Sequence, residues 1–86
     1  MFNPGDLIIS RYEFDNALFE WREGCFFPDY ERNFYFTDVL IVLGNTKFHL
    51  GRDHYAKASI VLSRIGIGYV RPDDFMTCKE LDEIIG

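Results

Sequence analysis

Hydrophobic and polar positions along this chain follow the patterns of β-strands over most of its length. Residues 6–14 (DLIISRYEF) come after a Pro-Gly turn signal and predict a first strand. Residues 34–44 (FYFTDVLIVLG) are aromatic and β-branched throughout and predict the strongest strand. Residues 56–65 (AKASIVLSRI) predict the next one, and residues 66–72 (GIGYVRP) follow closely enough for a bent or hairpin-paired strand. The pattern therefore predicts a mainly β fold.

Connections and a C-terminal helix complete the predicted elements. Residues 45–55 (NTKFHLGRDHY) predict a long hairpin loop, and residues 71–75 (RPDDF) predict a tight turn or one turn of 3₁₀ helix. Thr77 and Glu80 have the spacing of a capping box, with which a helix over 78–85 would begin. The helix signature is completed by staple residues, an apolar stripe and a C-cap glycine: Met76, Leu81, Ile84, Ile85 and Gly86.

An aromatic excursion, residues 18–36, lies between the first two main strands. Residues 2–36 hold eleven of the fifteen aromatic side chains. Residues 18–22 alternate with period two, which predicts a short strand with Leu18 and Glu20 on one face and Phe19 and Trp21 on the other. Turn-forming residues follow, so irregular backbone is predicted at Cys25, Phe26, Phe27 and Tyr30.

This excursion has two interpretations. It either folds back and caps its own barrel end, or it presents a surface to a partner. Exposed rings next to acids resemble the aromatic core and charged rim of an interface. The partner-binding hypothesis names six residues: Trp21, Phe26, Phe27, Tyr30, Glu23 and Asp29.

Composition and charge narrow the function classes. The 86 residues are typical of a single small globular domain, residues 1–86, with 48% hydrophobic residues and a net charge of −5. We expect a cytoplasmic protein with reduced Cys25 and Cys78, because no signal peptide and no membrane-spanning segment are recognisable. The charge is −5 over residues 1–38, +4 over residues 39–71 and −4 over the remainder.

The order of the predicted elements resembles the SH3-like small β-barrels, in particular small bacteriophage and bacterial proteins of unassigned role. The similarity is carried by PGDLI, DVLIVLG, AKASIVLS and GYVRPDDF, at residues 4–8, 38–44, 56–63 and 68–75. It implies a barrel of four to five antiparallel strands with a long loop after the first strand and a short C-terminal helix.

A closer likeness to the peptide-binding SH3 domains is only partial. RYEFDNA (11–17) is similar to the start of their RT loop, and RPDDF to their Pro-x-x-Tyr turn, which would place Tyr12, Phe14, Pro72 and Phe75 along a proline-peptide groove. The tryptophan of those domains is missing, however, and the loop is too long. We therefore retain the barrel and not polyproline binding.

Other chemistries lack a signature. Four residues separate His49 from His54, but the cysteines are single and distant, so no zinc pattern forms. There is no nucleophile elbow and no phosphate loop, and we expect neither an enzyme nor a cofactor.

A nucleic-acid binder is the first alternative. Basic residues that could contact a nucleic-acid backbone are interleaved with aromatic residues that could stack on bases: Lys47, Phe48, Arg52, Tyr55, Lys57, Arg64, Tyr69 and Arg71. The acidic net charge of the chain argues against this alternative, because nucleic-acid-binding domains are commonly basic.

The sequence thus favours a non-enzymatic module that binds another protein through the excursion, and the resemblance implies that the module is phage-encoded and its partner a host or phage protein. The second alternative is a homo-oligomeric component that uses the same aromatic loop against another copy of the chain.

Overall fold

A computed structural model of the chain describes residues 2–14, 16–23 and 25–85, and for residues 49–51 the backbone alone. These residues form seven antiparallel strands, curled into a half-barrel, and one short C-terminal helix. The strands are β1 (Leu7–Ser10), β2 (Asn16–Arg22), β3 (Cys25–Phe34), β4 (Leu40–Gly51), β5 (His54–Ser63), β6 (Gly66–Val70) and β7 (Phe75–Thr77). A 3₁₀ turn (Pro72–Asp74) precedes β7, and helix α1 (Cys78–Ile85) follows it.

The strands form one sheet in the order β3-β2-β6-β5-β4-β1-β7. The mainly β prediction with a short C-terminal helix is confirmed, but seven strands exceed the predicted four to five. The excess has two sources. The aromatic excursion is a paired hairpin, β2–β3, and a further short strand, β7, pairs with β1.

The prediction of irregular backbone at Cys25, Phe26, Phe27 and Tyr30 is wrong, because β3 runs through all four. Pro28 is compatible with this strand since β3 lies at the edge of the sheet, where a missing N–H breaks no ladder. The irregularity is confined to a bulge. Ala17 pairs with Asn33 and Leu18 with Asp29, so residues 30–32 have no partner opposite them on β2.

Two boundary predictions are also wrong. The predicted loop 45–55 is the paired end of the β4–β5 hairpin, whose turn is only two residues long, with Arg52 at φ 43°. The predicted strand 34–44 is interrupted over residues 35–39. There Asp38 closes a turn: its N–H donates to the Tyr35 carbonyl at 2.9 Å, and its Oδ2 accepts from the Tyr35 N–H at 3.1 Å.

The chain after residue 65 follows its local signals. β6 pairs with β5 as a hairpin, and Pro72–Asp74 forms the 3₁₀ turn. Helix α1 has the predicted bounds, and its start is capped as predicted: the Glu80 N–H donates to the Thr77 hydroxyl at 3.0 Å. The C-cap prediction at Gly86 lies outside the described residues.

The core lies on the inner face of the curled sheet. Its buried cluster draws on every strand: Ile8, Leu18, Phe34, Leu40, Val42, Val61, Val70 and Phe75. Ser59 is buried beside them, and its hydroxyl donates to Asn45 Oδ1 at 2.8 Å, which satisfies the polar group without water. Pairing and core together hold the β2–β3 hairpin against β6, where Phe19 and Tyr69 are register partners.

Gly68 sets the approach of β2 to β6. A Cβ at this position would lie 2.9 Å from both Cβ and Cδ1 of Leu18, which is itself fully buried. We expect Gly68→Ala to lower the free energy of unfolding by about 1–3 kcal/mol, the usual cost of overpacking. Urea denaturation measures it, with Gly44→Ala as the control, because a Cβ at Gly44 meets nothing within 4 Å. Equal losses in both variants would contradict a close contact between Gly68 and Leu18.

Candidate interaction surface

The β2–β3 hairpin has two faces, which its register defines. Register partners in an antiparallel pair share a face. Phe19 pairs with Pro28 and Trp21 with Phe26, which places these four on one face. Glu20 pairs with Phe27 and Arg22 with Cys25, which places them on the other. We call the second of these the open face of the hairpin: Glu20, Arg22, Cys25 and Phe27.

The first face packs against the rest of the protein through an aromatic cluster, Phe19, Trp21, Phe26, Phe48 and Tyr69. Trp21 stacks on Phe48 with ring centroids 4.1 Å apart and planes 12° apart. Phe26 meets both rings edge-on, at 4.9 Å from Trp21 and 5.0 Å from Phe48. Tyr69 approaches Phe48 at 5.4 Å. The cluster therefore joins the hairpin to β4 and β6, and its members are half-buried.

The open face carries an exposed ring among charges. Phe27 is 42% exposed. The Arg22 guanidinium carbon lies 5.3 Å from the centre of this ring, and Arg22 Nε lies 2.7 Å from Glu20 Oε1. One face of the Phe27 ring is thus covered by the Arg22 guanidinium, which also pairs with Glu20, and the exposed remainder of the ring is available to a partner.

The bulge of β3 presents Tyr30, which is 75% exposed. Its backbone is held from both sides. The Asn33 side-chain amide donates to the Tyr30 carbonyl, and the Glu31 N–H donates to Asp29 Oδ1 at 3.1 Å. The Arg32 guanidinium donates to the Ile67 carbonyl on β6. Tyr30 therefore projects from a bulge that is tied to the sheet.

The structure divides the six residues of the partner-binding hypothesis. Trp21 and Phe26 belong to the aromatic cluster, whereas Phe27 and Tyr30 are exposed. Asp29 is half-buried beside the bulge, and Glu23 is exposed in the hairpin turn at φ 50°. Sequence reasoning missed Phe48 and Tyr69 as members of the same cluster. Only the pairing of distant strands brings them there.

The basic residues of the nucleic-acid alternative are placed in different settings. Lys47 and Lys57 are register partners, side by side on one face. Arg64 and Arg71 make ion pairs with Asp38 at 3.0 Å and Asp74 at 2.9 Å. Phe48 and Tyr69, the rings meant to stack on bases, are occupied by the aromatic cluster. Tyr55 is exposed.

The remaining candidate chemistries are not assembled in the part of the chain that is described. No group of three or more His, Cys, Asp or Glu side chains is arranged there to hold a metal ion, and the side chain of His49 lies outside it. Cys25 and Cys78 are free thiols. Burial, together with the Asp82 carboxylate, raises the pKa of the Cys78 thiol, which is the opposite of what activates a nucleophile.

The four groove residues of the SH3 comparison fall into two pairs, Tyr12 with Phe14 and Pro72 with Phe75. Tyr12 and Phe14 stack on each other, with ring centroids 5.3 Å apart, and both are exposed. Phe75 is a core residue, and its ring lies 6.0 Å from Phe34. Pro72 and Phe75 line one groove together, of about 450 Å³. Pro72 also lines a second groove, of about 370 Å³, with Phe26, Tyr55, Ala56, Lys57, Arg71 and Asp73.

Comparison with known proteins adds no assignment: no protein-family model matches the chain, and no curated protein and no solved structure is significantly similar to it. Within the described ranges, no helix has the length and apolar character needed to cross a membrane. Any functional assignment therefore depends on the geometry of the chain itself.

Proposed function

We propose that this chain is a small non-enzymatic domain that binds another protein through the open face of the β2–β3 hairpin and the adjacent bulge. One observation carries the proposal. Phe27 and Tyr30 lie three positions apart on an edge strand and remain exposed, although the neighbouring rings Trp21 and Phe26 pack into the aromatic cluster. Trp21 and Phe26 then act as the platform, and Phe27 and Tyr30 as the contacts.

The surroundings of these two rings are those of an interface. Tyr and Phe are enriched where proteins meet, and fully burying a Phe side chain contributes about 1.5–3 kcal/mol. Acidic residues accompany the rings in the hairpin sequence, and Glu20 is the register partner of Phe27: Glu20, Glu23, Asp29 and Glu31. The partner that fits is a protein with an apolar pocket and a basic rim.

The SH3-like assignment is part of this proposal. A first strand, a long hairpin excursion, the β4–β5–β6 meander, a 3₁₀ turn and a last strand paired with β1 follow the order of an SH3-like barrel, which supports it. By the same resemblance the protein is phage-encoded and its partner is a host or phage protein of the cytoplasm.

A paired-variant capture experiment tests the contact surface. We expect Phe27→Ser/Tyr30→Ser to weaken binding of the partner by about 2 kcal/mol or more, roughly thirtyfold in Kd. The tagged protein is used to capture partners from host lysate, and the identified partner is then titrated by calorimetry. Tyr12→Ser/Phe14→Ser is the matched control, because these rings are similarly exposed but lie outside the hairpin.

Both variants are first checked for folding by circular dichroism and thermal melting. Retention of the partner by folded Phe27→Ser/Tyr30→Ser, or its loss only from Tyr12→Ser/Phe14→Ser, contradicts the proposed surface. Titration with single- and double-stranded DNA and RNA at low salt tests the nucleic-acid alternative. Binding that falls steeply with salt and requires Lys47 and Lys57 would support that alternative instead.

A further inference from the structure

The outer face of the sheet, opposite the core, carries a continuous row of aliphatic side chains. The register aligns Leu7 with Ile41, Ile41 with Leu62, and Leu62 with Ile67, so the row crosses β1, β4, β5 and β6. All four side chains are between 38% and 56% exposed. Directly paired residues share a face, so they form one surface rather than scattered exposures.

Two further exposed aliphatic residues flank this row: Val39, just before β4, and Leu43, at the irregularity in the β4 register between Val42 and Gly44. We call the set of six the outer strip: Leu7, Val39, Ile41, Leu43, Leu62 and Ile67. The adjacent row on the same face, Gly44, Ile60 and Tyr69, runs into the aromatic cluster and is half-buried. The strip is thus a part of this face that the described residues leave uncovered.

We propose that the outer strip is the interface with a second copy of this chain, which forms a two-fold dimer. Its exposed area is on the order of 500 Å², near the top of the roughly 300–600 Å² range for the largest apolar patch of a monomer. A stable interface buries about 800 Å² per partner, and in homodimers about 65% of it is apolar, so each partner contributes roughly 500 Å² of apolar surface. The outer strip supplies an apolar area of about that size.

The charges favour a second copy over a different protein. The strip itself contains only aliphatic residues, so one copy meets another without opposing like charges. Its edge next to Val39 holds both signs together: Arg64 pairs with Asp38 at 3.0 Å, and the Arg64 guanidinium carbon lies 4.8 Å from the Tyr35 ring centre. A two-fold axis places the same patch on both sides of the interface. The positive and negative charges at this edge of one copy can therefore face the opposite charges of the other copy.

The proposed dimer leaves the hairpin surface free. Phe19 shares a face with Ile60 and Tyr69, whereas Phe27 and its register partner Glu20 point to the opposite face. A dimer built on the strip therefore presents two copies of the open face, and a partner with two matching sites would bind it with higher avidity than it binds a monomer.

Analytical ultracentrifugation tests the dimer. Across a concentration series up to millimolar, we expect the wild-type chain to reach twice its mass of 10.1 kDa. Ile41→Thr/Leu62→Thr, which places β-branched side chains that suit strands at both positions, should weaken dimerisation roughly a hundredfold. Ile84→Gln/Ile85→Gln is the matched control, because these aliphatic side chains are more exposed but lie on helix α1 outside the strip. It should leave dimerisation unchanged.

Cross-linking checks which surface is used, independently of stability. In a Cys25→Ser/Cys78→Ser background, Leu62→Cys should be joined between copies by a short bismaleimide, and Tyr30→Cys should not. A wild-type chain that stays at 10.1 kDa overturns the proposal. So does a dimer that persists in folded Ile41→Thr/Leu62→Thr. A monomer that loses a captured protein partner in this variant assigns the strip to that other protein and equally overturns the dimer.

Discussion

Replacing Phe34 by alanine should lower the free energy of unfolding by about 3–5 kcal/mol, the largest effect expected of a single side chain here. Phe34 is the last residue of β3, is 1% exposed, and lies 6.0 Å from Phe75 of β7 between ring centres. Strands β3 and β7 are the two edges of the sheet. This ring contact therefore closes the curl of the half-barrel, and removing it leaves a cavity at that seam.

Guanidinium denaturation followed by circular dichroism measures this loss. Phe36→Ala is the control, because Phe36 is two residues away and exposed, and its loss should cost less than about 1 kcal/mol. An 86-residue domain has only about 4–13 kcal/mol of stability, so Phe34→Leu supplies a second, milder variant if the alanine variant does not fold. Equal effects at positions 34 and 36 would show that Phe34 does not close the curl.

Elements whose signals lie within a few residues could be predicted from the sequence. The helix start at Thr77 and Glu80 needs only one capping hydrogen bond, and the bounds of α1 follow from it. The 3₁₀ turn needs Pro72 to fix φ and two acids to follow it. Neither depends on a distant strand, so the local pattern suffices.

Elements that depend on distant partners could not be predicted in the same way. Residues 45–55 contain Asn, Gly and Asp, which suggest a loop, but their pairing as strands is supported by the stacking of Phe48 on Trp21. That contact joins positions 27 apart in the sequence. Conversely, the aromatic run 34–36 looks like the start of a strand, yet the side chain of Asp38 closes a turn there.

The candidate surface was predictable only where local alternation determines which face a side chain occupies. Alternation along residues 18–22 correctly separates Leu18, which is buried in the core, from Phe19 and Trp21 in the aromatic cluster. It does not separate Phe26 from Phe27, because that depends on the register of β3 against β2. The exposure of Tyr30 depends on a three-residue bulge. The only sequence signals near this bulge are the turn-forming residues Pro28 and Asp29.

Trp21→Ala should lower the free energy of unfolding by about 2–4 kcal/mol, somewhat less than a fully buried ring would. The indole stacks on Phe48 and meets Phe26 edge-on, so its loss separates the hairpin from the end of β4. Hydrogen exchange should show faster exchange along β2, β3 and the 46–56 end of the β4–β5 hairpin. The core amides around Val42 and Val61 should stay protected.

The same variant decides how Trp21 contributes to binding. As a platform residue, Trp21 acts by holding Phe27 and Tyr30 in place, so partner affinity and hairpin protection should fall together, and Trp21→Phe should restore much of both because it keeps a ring on Phe48. As a contact residue, it would lose affinity in the alanine variant without any change in exchange or stability. Affinity lost while the hairpin stays intact would show that Trp21 itself contacts the partner. Phe27 and Tyr30 would then not be the main contact residues.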